Sequence, residues 1–122
     1  MFLTLNPESE LPLFTQLHDA IVSAIAHGGL RDGDKLDPVR RVAADFGINP
    51  ATVKKAYDKL VAEGLAETAG RSGTVVRPGA RTDAQNQQLV EGLQRAALLA
   101  RAQGFNDSEI RSHLDAILKD LP

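Results

Sequence analysis

Apolar residues recur at spacings of three and four from Leu13 through Leu17, Ala20, Ile21 and Ala24 to Ile25, which places them on one face of a helix. Pro12 suits its first turn, where a missing N–H is harmless, and Gly28-Gly29 supplies a permissive stop. The pattern predicts a first helix from Pro12 to His27. A shorter stripe, Val39, Val42, Ala43 and Phe46, follows Asp37 as candidate N-cap and Pro38 as first helical residue, and Gly47 ends it. A third begins at Asn49, a second candidate N-cap with Pro50 just inside, and carries Val53, Ala56, Tyr57, Leu60 and Val61 to Gly64. Ahead of these helices, Phe2 to Leu5 reads as a short extended start broken by Asn6-Pro7-Glu8-Ser9. The stretch Leu30 to Asp37 is too polar for an element and reads as a loop turning at Gly33.

Two short helices joined by a tight Gly-containing turn form a helix-turn-helix, whose second helix is the one offered to a DNA major groove. Beyond Gly64, the segments Leu65 to Thr68 and Thr74 to Arg77 flank Ala69-Gly70-Arg71-Ser72-Gly73, the pattern of a hairpin with a Gly-rich tip. Such a hairpin would be a wing. The breaker-rich run Arg77 to Thr82 then marks a boundary. After it, Leu89, Leu93, Ala96, Ala97, Ala100 and Ala102 form a stripe ending at Gly104, and Asn106 with Glu109 makes a capping box ahead of Ile110, Leu114, Ile117, Leu118 and Leu121. The implied pair of antiparallel helices cannot enclose both of its apolar sides, so it needs the winged domain or a second copy of itself. The expected fold is mainly α with a small β-hairpin wing: a winged helix-turn-helix over residues 1–78 and a helical hairpin for dimerisation over residues 83–121.

Composition narrows the function. A chain of 122 residues encloses one modest core, too little for a large enzyme architecture. The absence of cysteine excludes disulfide scaffolds, thiolate metal sites and cysteine nucleophiles, and His18, His27 and His113 are scattered without metal-ligand spacing. No metal or cofactor is expected. No apolar run has membrane-spanning length and the N-terminus does not read as a secretory signal, so a cytoplasmic protein is expected. The net charge of −2 hides an asymmetry: Arg31 to Gly79 holds nine basic against seven acidic residues, so an anion-binding face belongs there.

The ordered segments Pro12 to Leu17, Leu30 to Leu36, Asn49 to Tyr57, Leu60 to Leu65 and Gly70 to Val76 resemble the GntR family of bacterial regulators, in its short YtrA-like branch. Asp37 and Pro38 stand where similar proteins usually carry Pro and Ser, while Arg40 matches the family's arginine. The resemblance implies a homodimer paired through its C-terminal helices that binds a palindromic operator and represses nearby genes. The tail is too short for the effector-binding or aminotransferase-like domains of longer relatives, and no effector follows from it.

The candidate DNA-binding residues are Arg40 at the start of the second helix, Asn49, Ala51, Thr52, Lys54, Lys55 and Tyr57 on the third, and Arg71, Ser72 and Gly73 at the wing tip. An arginine fork can grip a guanine edge or a phosphate, lysines neutralise phosphates, and glycines let backbone approach a groove. Asn49 is explained by capping alone, and Tyr57, on the apolar stripe, is first a core residue. Candidate dimer contacts are Leu89, Leu93, Ala97, Ile110, Leu114, Ile117 and Leu118. The alternative to a DNA-binding repressor is a winged-helix protein–protein adaptor, which the overall acidity and Asp37 would suit. An enzyme has no nucleophile–base or carboxylate constellation behind it.

Overall fold

The computed structural model describes residues 3–122; Phe2, expected to open an extended segment, and the side chain of Ser72 lie outside the described residues. The chain runs α1 (Leu13–Ala26), α2 (Val39–Phe46), α3 (Pro50–Ala62), β1 (Ala66–Thr68), a 3-10 turn (Gly70–Ser72), β2 (Thr74–Val76), α4 (Asp83–Ala102) and α5 (Asp107–Lys119). It divides into two compact units, Met1–Gly79 and Ala80–Pro122.

In the first unit α1 and α2 both pack on α3. Leu17 and Ile21 from α1, Val42 from α2, Val53 and Leu60 from α3, and Val76 from β2 are fully buried at the centre. These are the stripes that the helical and strand periods place on one face. Asn49 caps α3 as its sequence requires: its side chain accepts from the Ala51 N–H at 2.8 Å, with Pro50 filling the first helical position. Gly47 closes α2 in the left-handed conformation that a side chain would strain. The N-terminal arm is held by Gln16, whose amide accepts from the Asn6 N–H and donates to the carbonyls of Asn6 and Leu11. Leu3 and Leu5 thereby pack against the core.

Two local expectations are corrected. The N-cap of α2 is Pro38, with no side-chain cap bond, rather than Asp37. The Asp37 carbonyl instead accepts the Tyr57 hydroxyl at 2.6 Å, a bond across 20 positions that fixes where the helix starts. The polar stretch between α1 and α2 is not simply a loop. Lys35 bridges Val75 in antiparallel fashion, Leu36 N–H donates to the Thr74 carbonyl and Val76 N–H to that of Asp34. Its partner is the outer edge of β2, so the pairing leaves no period-two signature in this segment.

The wing itself follows the expected hairpin, with Ala66 opposite Val76, Glu67 opposite Val75 and Thr68 opposite Thr74. Gly73, at φ 73° and ψ −140°, closes the tip in a conformation that glycine adopts readily. Arg77 pairs with Asp32 and Glu67 at the base of the wing.

In the second unit both helices are started by capping boxes: Asn106 with Glu109 for α5, as the sequence indicates, and Thr82 with Gln85 for α4. Arg101 and Asp107 form an ion pair across the connection. Neither α4 nor α5 contains a buried residue. Among the described residues no helix is long and apolar enough to cross a membrane.

Candidate nucleic-acid interface

The three parts of a winged helix that can face a duplex are the start of α2, the outer face of α3 and the wing tip. Arg40 lies in the first turn of α2, exposed and without an ion pair among the described residues. Its neighbour Arg41 is turned to Asp45 one helical turn on. On α3 the core takes Val53, Ala56, Tyr57 and Leu60, so Ala51, Lys54, Lys55 and Asp58 are exposed and Thr52 is half-buried. A small residue at Ala51 leaves the N-terminal turn of this helix open to close approach.

The lysines differ. Lys54 donates to the Asp58 carboxylate at 2.7 Å, an i,i+4 pair that leaves it less free for a phosphate. Lys55 lies over the ring of Phe14, 4.8 Å from its centre. Asn49 is committed to its cap.

Tyr57 is 3% exposed and its hydroxyl hydrogen is given to the Asp37 carbonyl. Burial, and after it the neighbouring Asp37 carboxylate, hold the phenol well above its ordinary value, so it stays a neutral donor at any physiological pH. The structure therefore gives Tyr57 the task of fixing the entry to α2, the turn that carries Arg40. A cleft of about 280 Å³ brings Asp37, Tyr57, Arg71 and Gly73 together between the start of α2 and the wing. Arg71 is exposed at the tip.

The candidate dimer residues are open in the chain as it stands: Leu89, Leu93, Leu114, Ile117 and Leu118 are exposed, and Ala97 and Ile110 half-buried. Sequence reasoning passed over exposed Val90, Leu98 and Leu99 of α4 and Phe105 of the connection. By helical spacing Leu98 falls on the far side of α4 from Leu89, so a single-stripe reading could not collect both. His18, expected to be a surface or packing residue, is buried and joins Glu63 at the end of α3 and Asp19 beside it, a pairing the sequence reading did not name. The residues concerned are 45 positions apart, and nothing local announces the pair.

Comparison with known proteins agrees with this geometry. The family described as bacterial regulatory proteins, gntR family, matches residues 13–76, from the start of α1 to the end of β2. The HTH-type transcriptional repressor YtrA of Bacillus subtilis is 36% identical over 88 residues, which cover 72% of this chain and 64% of that protein. The solved structure of YtrA from Sulfolobus acidocaldarius, a GntR-family transcription factor, superposes with a TM-score of 0.67 at 31% identity, covering 96% of this chain and 97% of that one. A further structure, the AraR DNA-binding domain in complex with operator ORE1, matches 62% of this chain and 93% of its own at 29% identity and a TM-score of 0.52. The chain belongs to the GntR family, in its short YtrA-like branch, and is a DNA-binding transcriptional regulator.

Proposed function

We propose that this regulator is a cytoplasmic repressor that binds a palindromic operator as a homodimer, acting by occupancy and not by catalysis. In this reading residues 1–78 bind DNA and residues 83–121 pair the subunits. Arg40 contacts a base edge or phosphate, Ala51 and Thr52 present the first turn of α3 to the major groove, and Lys55 and Lys54 meet phosphates, Lys54 with the smaller share. Arg71, Ser72 and Gly73 carry the wing to the backbone or minor groove. Asn49 and Tyr57 serve by holding α3 and the start of α2 in place.

The observation that carries the proposal is that each of the three elements presents an exposed cation with no carboxylate partner among the described residues: Arg40 on α2, Lys55 and Lys59 on α3, and Arg71 at the wing tip, with Arg31 and Lys35 in the same state on the segment that pairs with β2. Other exposed cations of the same unit, Arg41, Lys54 and Arg77, are each turned to an acid. The operator complex of the AraR domain and the repressor function of the Bacillus relative support the same reading. Pairing through α4 and α5 is supported by their exposed apolar residues, which a second copy would cover.

The test is selection of bound sequences from random duplex DNA by the full chain. A palindrome is expected for wild type, and its half-sites are expected to lose information with Arg40→Ala. Enrichment of single, unpaired half-sites would overturn the dimer. No enrichment by a folded protein at low salt would overturn operator binding in favour of an adaptor.

A further inference from the structure

Lys55 and Lys59 stand one turn apart on α3 and converge on one aromatic ring. Their ammonium groups lie 4.8 and 5.5 Å from the centre of Phe14, and both side chains are exposed. Neither has an ion pair among the described residues, whereas Lys54 between Val53 and Lys55 is held by Asp58. Like charges at this spacing repel, and the face of one half-buried ring offsets only part of the cost. An anion placed beside both ammonium groups would relieve the remaining repulsion. Phe14 is a suitable anchor because it sits in the first turn of α1, half-buried against the core, on the helix that packs along α3. Its ring moves with the scaffold and limits where two flexible side chains can place their charges.

We propose that Phe14, Lys55 and Lys59 form a two-point clamp on the DNA backbone, each lysine neutralising a phosphate while the ring positions both. The proposal rests on the DNA-binding reading above and deepens it. It adds Lys59 to the binding residues, makes Phe14 a positioning residue, and explains why α3 neutralises one of its three lysines internally and leaves two free. Phosphates are the anions that flank a groove-bound helix, which is the chemistry this flank of α3 meets.

The test needs no operator, because binding to a mixed-sequence duplex is phosphate-driven. Affinity of the full chain is measured between about 50 and 200 mM salt, and the slope of log K against log salt is compared among variants. Lys59→Gln is expected to lower the slope by about 0.9, the share of one phosphate, and Lys54→Gln by less than half as much. Phe14→Leu, which keeps an apolar side chain, is expected to weaken binding about three- to fivefold, and Phe14→Tyr to restore it. Melting curves establish that each variant is folded; should Phe14→Leu melt early, the Lys59→Gln slope decides alone. An unchanged slope with Lys59→Gln, or full affinity with Phe14→Leu, overturns the clamp while wild-type binding stands. A wild-type protein without salt-dependent binding overturns the DNA-binding reading and the clamp together.

Discussion

The two units are built from the same ingredients and reach opposite ends. Each contains amphipathic helices and side-chain N-capping, at α3 in the first and at α4 and α5 in the second, yet Leu60 of α3 is 0% exposed and Leu118 of α5 is 56% exposed. In the first unit the stripes of α1, α2 and α3 meet one another and β2 closes the remaining side. In the second, two helices hold their starts by Thr82, Gln85, Asn106 and Glu109, and no residue of either is fully buried. Caps decide where a helix begins, and each contributes about 1 kcal/mol. They do not replace a core, because short helices are marginal in water without tertiary packing. A unit of 43 residues with most of its large apolar side chains in solvent is near the lower size at which a core sustains folding alone, which is what motivates the proposed pairing.

The sharpest way to break this contrast is to cut between the units. Removal of residues 83–122 is expected to leave a cooperatively folding monomer whose operator affinity falls by a factor on the order of 10²–10⁴, the loss of linking two half-site contacts. Sedimentation and operator binding check it, and a dimer that survives the cut would place the pairing surface in the winged unit. Next in size is a matched pair of truncations. Leu60→Ala is expected to cost about 2–5 kcal/mol in denaturant unfolding of the winged unit. Leu118→Ala is expected to leave that transition in place and shift the concentration dependence of the dimer. Equal effects on the winged-unit transition would mean that the units do not fold independently.

Tyr57→Phe is the smallest change and sharpens the first unit alone. At neutral pH the lost hydrogen bond to Asp37 is expected to cost about 1–2 kcal/mol and to loosen the start of α2. Because the folded phenol is raised above its unfolded value of 10.0, its contribution is fully present below that pH and is lost as pH climbs beyond it. Wild type should therefore lose stability in strongly alkaline solution along a limb that Tyr57→Phe lacks. Denaturant midpoints measured across that range provide the check, and identical alkaline limbs would remove Tyr57 as their source.

Much of the fold was legible because its signals are local. Asn49-Pro50, Gly47, Asn106 with Glu109 and the Gly70 to Gly73 tip each act within a few residues of themselves, through one side-chain bond or one backbone conformation. Thr82 with Gln85 obeys the same local rule, and the Lys54–Asp58 pair follows from its i,i+4 spacing, although neither was among the expected features. Asp37 misled because its type suits a cap, while a hydroxyl 20 positions away sets the actual start. The Lys35–Val75 bridge misled for a related reason: a polar segment has no alternation to read, and its partner edge exists only once β1 and β2 have paired.

The amino-acid sequence by itself determined which segments are helical, where most of them begin and end, which faces are apolar, and the family to which the chain belongs. Only the tertiary structure decided that Phe14 sits under Lys55 and Lys59, that Tyr57 supports α2, and that His18 reaches Glu63. The division is physical. Caps and stripes depend on bonds and angles within one or two helical turns, whereas these contacts join residues 20 or more positions apart and form only when packing of α1, α2 and α3 has brought their side chains together.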